Sequence, residues 1–158
     1  MKNMLICFLI FLIICIIGCN SRDVVIKDVE RALFSEIHEV WLLKNEDQQR
    51  ISLGSDKICI LREVVRKGTK LVEISQNEFN DRYKKISMMI FGIVRNDMHT
   101  MNLFYDYQSN LMYVNKSQIH YKSYAKYIRD KKLTDKYLLG VYCFCVDDIL
   151  RTICDDYD

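Results

Sequence analysis

The N-terminal end of the chain carries its longest hydrophobic run. Fourteen apolar residues, from Met4 to Ile17, follow Lys2 and Asn3. A transmembrane helix needs about 20 apolar residues, whereas fourteen residues at about 1.5 Å each span only about 21 Å. A positively charged start followed by a short apolar core is typical of a secretory signal. We therefore predict a cleaved signal helix over residues 1–18, with an uncleaved membrane anchor as the alternative.

Beyond this run, alternating apolar and polar positions predict mainly β-strands. One pair of strands flanks Gly54-Ser55-Asp56 and another flanks Gln108-Ser109-Asn110, so each pair predicts a hairpin. The second strand of the first pair is apolar on both faces, as in a strand buried inside a sandwich. The predicted strands cover residues 38–44, 49–53, 57–63, 70–74, 86–94, 103–107, 111–114 and 137–146.

Helical spacing competes with these strands in a few places. Residues 29–37 carry mixed signals, and residues 78–94 fit either a helix or a polar connection followed by a strand. We favour the second interpretation for 78–94 because β-branched and aromatic residues are frequent there. Residues 117–132 support both periods, with a helix favoured, and a short terminal helix is predicted over 149–153.

The predicted fold class is mainly β, with sandwich-like antiparallel sheets and one or two short helices after the signal helix. An α+β fold is the alternative. Residues 19–27 are predicted to be a tether, and residues 28–158 to form a single periplasmic domain of ordinary size. The chain contains no proline and only five glycines, which argues against a long disordered stalk.

The charge balance excludes one class of partner. The chain carries 23 basic and 21 acidic residues, and removal of the signal would take away only Lys2. A nearly neutral domain lacks the basic surface that nucleic-acid binding requires. We therefore do not expect nucleic acid as a partner.

The end of the signal resembles the lipobox of bacterial lipoproteins. The residues that carry this resemblance are Ile16-Ile17-Gly18-Cys19. It implies cleavage between Gly18 and Cys19, a diacylglycerol joined to the Cys19 sulfur, and acylation of the new amine. The following residue is Asn20 and not Asp, which by the same resemblance favours the periplasmic face of the outer membrane. The covalent lipid is the only cofactor predicted, and it makes the membrane a partner.

The seven cysteines then fall into three sets. Two leave with the signal and Cys19 carries the lipid. An even number remains in an oxidising compartment, which predicts disulfide bonds. A bond between neighbours two apart on a strand is disfavoured by geometry. The open alternatives are Cys59–Cys143 with Cys145–Cys154, Cys59–Cys145 with Cys143–Cys154, or a single bonded pair with the other cysteines as buried thiols. The spacing does not match a zinc site, so no metal is predicted.

No catalytic constellation is recognisable. The chain has three histidines, and it lacks the glycine-rich, Gly-x-Ser-x-Gly and His-Glu-x-x-His motifs. We therefore predict a protein without enzymatic activity. A mixture of tyrosine and lysine suits a protein interface, because tyrosine gives contact area and lysine steers an acidic partner. The predicted partner surface comprises Tyr121, Lys122, Tyr124, Lys126 and Tyr127.

A lipobox followed by a β-rich domain resembles the type VI secretion immunity periplasmic lipoproteins of enterobacteria. The local likeness lies in Gly54-Ser55-Asp56-Lys57-Ile58-Cys59-Ile60, in Lys67-Gly68-Thr69-Lys70-Leu71 and in Tyr142-Cys143-Phe144. The resemblance implies a protein that binds and neutralises a toxin delivered into the periplasm. The alternative function is a structural or assembly lipoprotein of the envelope, whose partner is another envelope protein.

Overall fold

One seven-stranded antiparallel sheet organises the chain, in the order β2-β1-β4-β5-β6-β7-β3. The computed structural model describes residues 25–43, 50–119 and 139–155. The strands are β1 (Ile37–Leu43), β2 (Arg50–Ser52), β3 (Thr69–Ile74), β4 (Met89–Arg95), β5 (Thr100–Asp106), β6 (Leu111–Asn115) and β7 (Val141–Cys145). The described helices are α1 (25–34), α2 (Ser55–Arg66), α3 (Gln76–Lys85), α4 (Lys116–Ile119) and α5 (Ile149–Asp155).

The sheet divides the core into two layers of unequal size. The larger layer lies on the face that we call the helix-rich face, where α1, α2 and α5 pack against residues such as Phe91, Leu103 and Phe144. The smaller layer lies on the opposite α3 face, where Phe79 of α3 packs against Tyr113 and other strand residues. Because side chains alternate along a strand, strands β3, β5, β6 and β7 contribute to both layers, whereas the core residues of β1 and β4 belong to the larger layer. The fold is therefore α+β, with one sheet between helices, and the predicted sandwich of two sheets is wrong.

Helix α2 accounts for most of this difference. Residues 57–63 were predicted as a hairpin strand, but they lie inside α2. Buried Leu61, Val64 and Val65 follow the three-to-four spacing of a helix face, while Ile58 and Ile60 also mimic alternation. Asp56 in the first turn and Arg66 in the last turn complement the helix dipole. The charges at the two ends of the segment and the helical spacing of its later apolar residues favour a helix over a strand.

Helix α3 occupies what we predicted to be a polar connection. Ser75 is its N-cap, and the Ser75 hydroxyl oxygen accepts a hydrogen bond from the backbone N–H of Glu78 at 3.1 Å. Glu78 in turn pairs with Arg82 at 2.9 Å, one turn later. A serine followed three residues later by glutamate is the capping-box pattern. The strand predicted over 86–94 is confirmed in the part that forms β4, from Met89 onwards.

The remaining predicted elements are confirmed where the structure describes them. The hairpin of β5 and β6 forms, and the Asp106 carboxylate holds its turn by accepting from the backbone N–H groups of Gln108 (2.9 Å) and Ser109 (3.3 Å). The strands predicted over 38–44, 70–74 and 137–146 correspond to β1, β3 and β7, and the terminal helix corresponds to α5. Only the first turn predicted for residues 117–132 is described, as α4.

The N-terminal boundary of the folded part lies earlier than predicted. Residues 25–27, assigned to the tether, already belong to α1, and Ile26 is buried in the helix-rich layer. The signal and the lipobox lie outside the described residues. Within residues 25–43, 50–119 and 139–155, no helix is both long enough and apolar enough to span a membrane.

Candidate functional site

The α3 face of the sheet is covered unevenly. Phe79 and Tyr83 of α3 pack on Phe104 of β5, with ring centroids 5.1 and 5.6 Å apart. Phe79 also lies 5.5 Å from the ring of Tyr113 on β6. These contacts cover the half of the face that β5, β6 and β7 form. None of the described helices packs over the other half, which β2, β1 and β4 form.

Trp41 lies at the centre of this second half. It is directly opposite Gly92 in the pairing of β1 with β4. A Cβ atom at position 92 would overlap the indole ring, so only glycine lets Trp41 lie flat on the sheet. A glycine inside a strand often marks such a close approach. Trp41 is only 8% exposed, so it is held in place and nearly buried.

Arg50 covers the outer side of Trp41. Arg50 on β2 pairs with Leu43, and Ser52 pairs with Trp41, so Arg50 is the diagonal neighbour of the indole. The guanidinium carbon lies 4.6 Å from the ring centroid, within the range of a cation–π interaction. A guanidinium stacked in this way keeps its N–H donors in one plane, where they can reach a ligand at its edge.

The surroundings of this stacked pair form a shallow concavity of about 480 Å³, which we call the Trp41 concavity. Its lining is mixed, with two charged side chains, one histidine, polar groups and apolar groups. At one end Met98, in the turn between β4 and β5, is 72% exposed. The residues that line it are His38, Glu39, Trp41, Arg50, Val94, Met98, Thr100 and Asn102.

One polar atom of the concavity is unsatisfied. The side-chain oxygen of Asn102 is buried and has no hydrogen-bond partner in the described part of the chain. A buried acceptor without a partner costs free energy. A ligand that brought an N–H or O–H group to this oxygen would remove that cost.

A second, smaller cavity of about 280 Å³ lies on the opposite face of the sheet, between α2 and α5. It is largely apolar and is bordered by Ile60, Val64 and the half-exposed Ile149. Cys59 and Asp147 are at its rim. Glu63 and Lys67 also line it, and these two side chains pair with each other at 3.2 Å.

The structure separates the four cysteines that we expected to pair. Cys143 belongs to the α3 layer and Cys145, two residues later on the same strand, points to the same side. Cys154 lies in the helix-rich layer, and Cys59 is exposed on α2 above that layer. The structure shows no disulfide bond among these four described residues. Both predicted pairings join cysteines on opposite sides of the sheet, so the structure brings neither pair together.

Burial makes one of these thiols a poor nucleophile. Burial raises the pKa of the Cys143 thiol above its usual value, despite the hydrogen bond to Tyr113. The thiolate is the reactive form of cysteine. Among the described residues, no group of three or more histidine, cysteine or acidic side chains is placed to hold a metal ion.

The structure places the other predicted site residues as follows. Gly18, Cys19 and the predicted partner surface of Tyr121, Lys122, Tyr124, Lys126 and Tyr127 lie outside the described residues. Trp41, Arg50 and Gly92 were not singled out from sequence. The signal that could have found them is the glycine in the apolar run Phe91-Gly92-Ile93, which predicts that a large group lies against the strand.

Comparison with protein-family models, with characterised proteins and with solved structures finds no significant match to this chain.

Proposed function

We propose that this protein is a lipid-anchored binding protein of the cell envelope that neutralises a toxin delivered into the periplasm. The single observation that carries the proposal is the sequence Ile16-Ile17-Gly18-Cys19 at the end of a short apolar run. Acylation of Cys19 would hold the protein at the membrane, because each buried methylene adds about 0.8 kcal/mol of membrane affinity. Anchoring at the outer membrane would keep the binding surface where incoming effectors arrive.

The character of the Trp41 concavity supports binding as the activity. Tryptophan and arginine are the residue types most enriched among those that dominate protein interfaces. Here both are stacked on the rigid sheet, and the adjacent Thr100 and Asn102 supply polar contacts. A surface that is already ordered loses little entropy when a partner binds. The mechanism would be occlusion of the toxin's active site by this preformed surface, with no chemical step.

The anchor can be tested by labelling with radioactive palmitate followed by membrane fractionation. We expect the wild-type protein to carry label and to sediment with membranes. Cys19→Ser should lose both properties. Cys7→Ala, which changes a cysteine but keeps the run apolar, is the matched control and should behave as wild type. Continued membrane attachment of unlabelled Cys19→Ser would restore the uncleaved anchor and remove the lipoprotein.

The binding function can be tested with the product of the adjacent reading frame. We expect that product to kill cells when it is directed to the periplasm, and coexpression of this protein to restore growth. The two proteins should also co-purify as a complex. Recovery of envelope proteins only, with no protection, would replace the immunity function by the structural or assembly function.

A further inference from the structure

We propose that the Trp41 concavity receives the partner and takes an acidic segment of it, with a carboxylate held by the Arg50 guanidinium. This inference rests on the proposed binding function and names the site and the chemistry of the partner. It differs from the tyrosine–lysine surface predicted from sequence. The occupant is a stretch of a protein chain that carries aspartate or glutamate.

Arg50 is prepared for a carboxylate before any partner arrives. The indole of Trp41 fixes one face of the guanidinium at 4.6 Å, and Gly92 fixes the indole in turn. A free arginine side chain loses considerable rotamer entropy when it binds, and a stacked one has lost part of it already. The planar donors can then form two parallel hydrogen bonds to one carboxylate.

The charge of Arg50 is unbalanced in the described part of the chain. Five other arginines there form ion pairs with carboxylates, and Arg151 donates to the backbone carbonyl oxygen of Gln108 at 3.4 Å. The Arg50 side chain makes no ion pair or hydrogen bond with any described residue, and it contacts the Trp41 ring. The five pairs are Arg31–Asp28, Arg62–Glu30, Arg66–Glu63, Arg82–Glu78 and Arg95–Glu36.

The other polar groups of the concavity suit a peptide segment. The unsatisfied oxygen of Asn102 can accept a backbone N–H, and the exposed hydroxyl of Thr100 can donate or accept. The volume of about 480 Å³ lies within the range of about 300–1,000 Å³ that is usual for ligand pockets. Glu39 borders the same concavity without pairing with Arg50, so it repels an acidic segment on one side and fixes its orientation.

The edges of the sheet favour this face over the addition of a strand. At one edge, β2 has only three residues. At the other edge, β3 contains an irregularity between Thr69 and Val72, and Lys70 has a φ of +53°. Short strands, bulges and lysines are the usual means by which proteins block pairing at an edge. A partner therefore docks on the face of the sheet.

Trp41 makes the test direct, because it is the only tryptophan in the chain. The full-length lipoprotein in non-ionic detergent is titrated with two blocked peptides, one of alternating glutamate and serine and the other with glutamine in place of glutamate. We expect a saturable change in tryptophan emission with the glutamate peptide only. Arg50→Gln should weaken its binding by about tenfold or more, the loss expected for hydrogen bonds to a charged group.

Matched variants separate the Arg50 contact from general charge. Arg31→Gln removes an exposed arginine elsewhere and should leave binding unchanged. Arg50→Lys should weaken binding, because lysine lacks the planar pair of donors, and Glu39→Gln should leave it equal or tighter. Circular dichroism of each variant checks that the exposed substitution leaves the fold intact.

The contrary outcomes are distinct. Equal binding of the two peptides, no binding of either at millimolar concentration, or no effect of Arg50→Gln would each overturn the inference. An equal response to sodium acetate at the same carboxylate concentration would also overturn it, since the site would then take a small anion. If the peptide experiments give these results while the toxin still co-purifies, only the inference about the Trp41 concavity is wrong. If the glutamate peptide binds and no toxin is neutralised, the proposed function falls.

Discussion

The packing of the Trp41 indole against Gly92 gives the sharpest prediction about stability. Gly92→Ala adds a single methyl group at a position where the indole already lies. The methyl group and the ring cannot occupy the same space, so either β1 and β4 separate locally or the indole moves out towards solvent. Both responses disturb the packing of the Trp41 indole against the sheet.

The magnitude follows from what each response would cost. Overpacking of a well-filled site costs about 1–3 kcal/mol when neighbours can adjust. Complete expulsion of the indole would expose about 150–250 Å² of apolar surface, which at about 25 cal/mol per Å² amounts to about 4–6 kcal/mol. Trp41 is 8% exposed, so most of this area is at stake. We expect Gly92→Ala to lower the free energy of unfolding by about 2–5 kcal/mol.

Urea unfolding of the two proteins, followed by circular dichroism, measures this difference. Gly54→Ala is the matched control, because its new methyl group would meet only the side-chain oxygen of Asp56 at 2.9 Å, the end of a flexible chain. Gly54 is the N-cap of α2, where alanine is less favourable than glycine, so we expect a loss of at most about 1 kcal/mol. Tryptophan emission should shift to longer wavelength in Gly92→Ala and stay unchanged in the control. If Gly92→Ala were as stable as Gly54→Ala and its tryptophan emission were unshifted, the indole would not pack against Gly92.

Three further predictions concern other parts of the fold. Burial raises the pKa of Tyr105 to about 12, above the unfolded value of 10.0, so its contribution to stability is complete below about pH 10 and is lost as the pH rises to about 12. Spectrophotometric titration should show one phenol that ionises late in the wild type and is missing in Tyr105→Phe. The absence of a late phenol in the wild type would contradict this. Iodoacetamide should modify exposed Cys59 rapidly in the native protein and buried Cys143 only after denaturation. Peptide mass spectrometry measures the extent of modification at each cysteine, and rapid labelling of Cys143 in the native protein would contradict its burial under α3. Ser75→Ala should lower the free energy of unfolding by about 1 kcal/mol and reduce the helicity of α3, because the α3 N-cap is lost. Ser109→Ala, at the β5–β6 turn, is the control and should leave the helicity measured by circular dichroism unchanged. Equal helicity in Ser75→Ala and wild type would exclude the cap.

The sequence predicted elements well where local pattern and turn chemistry agreed. The hairpin of β5 and β6 has alternating strands and an Asp106 that holds the turn, so its prediction needs no information from distant residues. Helix α2 was missed because Ile58 and Ile60 imitate alternation, and only the buried positions further along reveal the helical face. Helix α3 was missed because it is mostly polar and buries chiefly Phe79.

The candidate site depends on long-range pairing, which local pattern does not contain. Trp41 and Gly92 are opposite each other only because β1 pairs with β4 across the intervening β2, α2, β3 and α3. A shift of the register by one residue would put Trp41 on the other face of the sheet. The placement of the cysteines also depends on the whole fold, because Cys59 and Cys154 lie on helices that pack against one face of the sheet, while Cys143 faces the other side.

The position of β3 has a consequence for the order in which the chain can fold. Within the described residues, strand β3 pairs only with β7, the described strand that comes last in the chain. A chain that emerges N-terminus first from a translocation channel therefore cannot complete its sheet until residues 141–145 have crossed the membrane. Until then β3 remains without its strand partner, and long-range pairing of this kind is slow. If the chain is exported as proposed, we expect it to cross the membrane unfolded and to close its sheet only after the whole chain has been released.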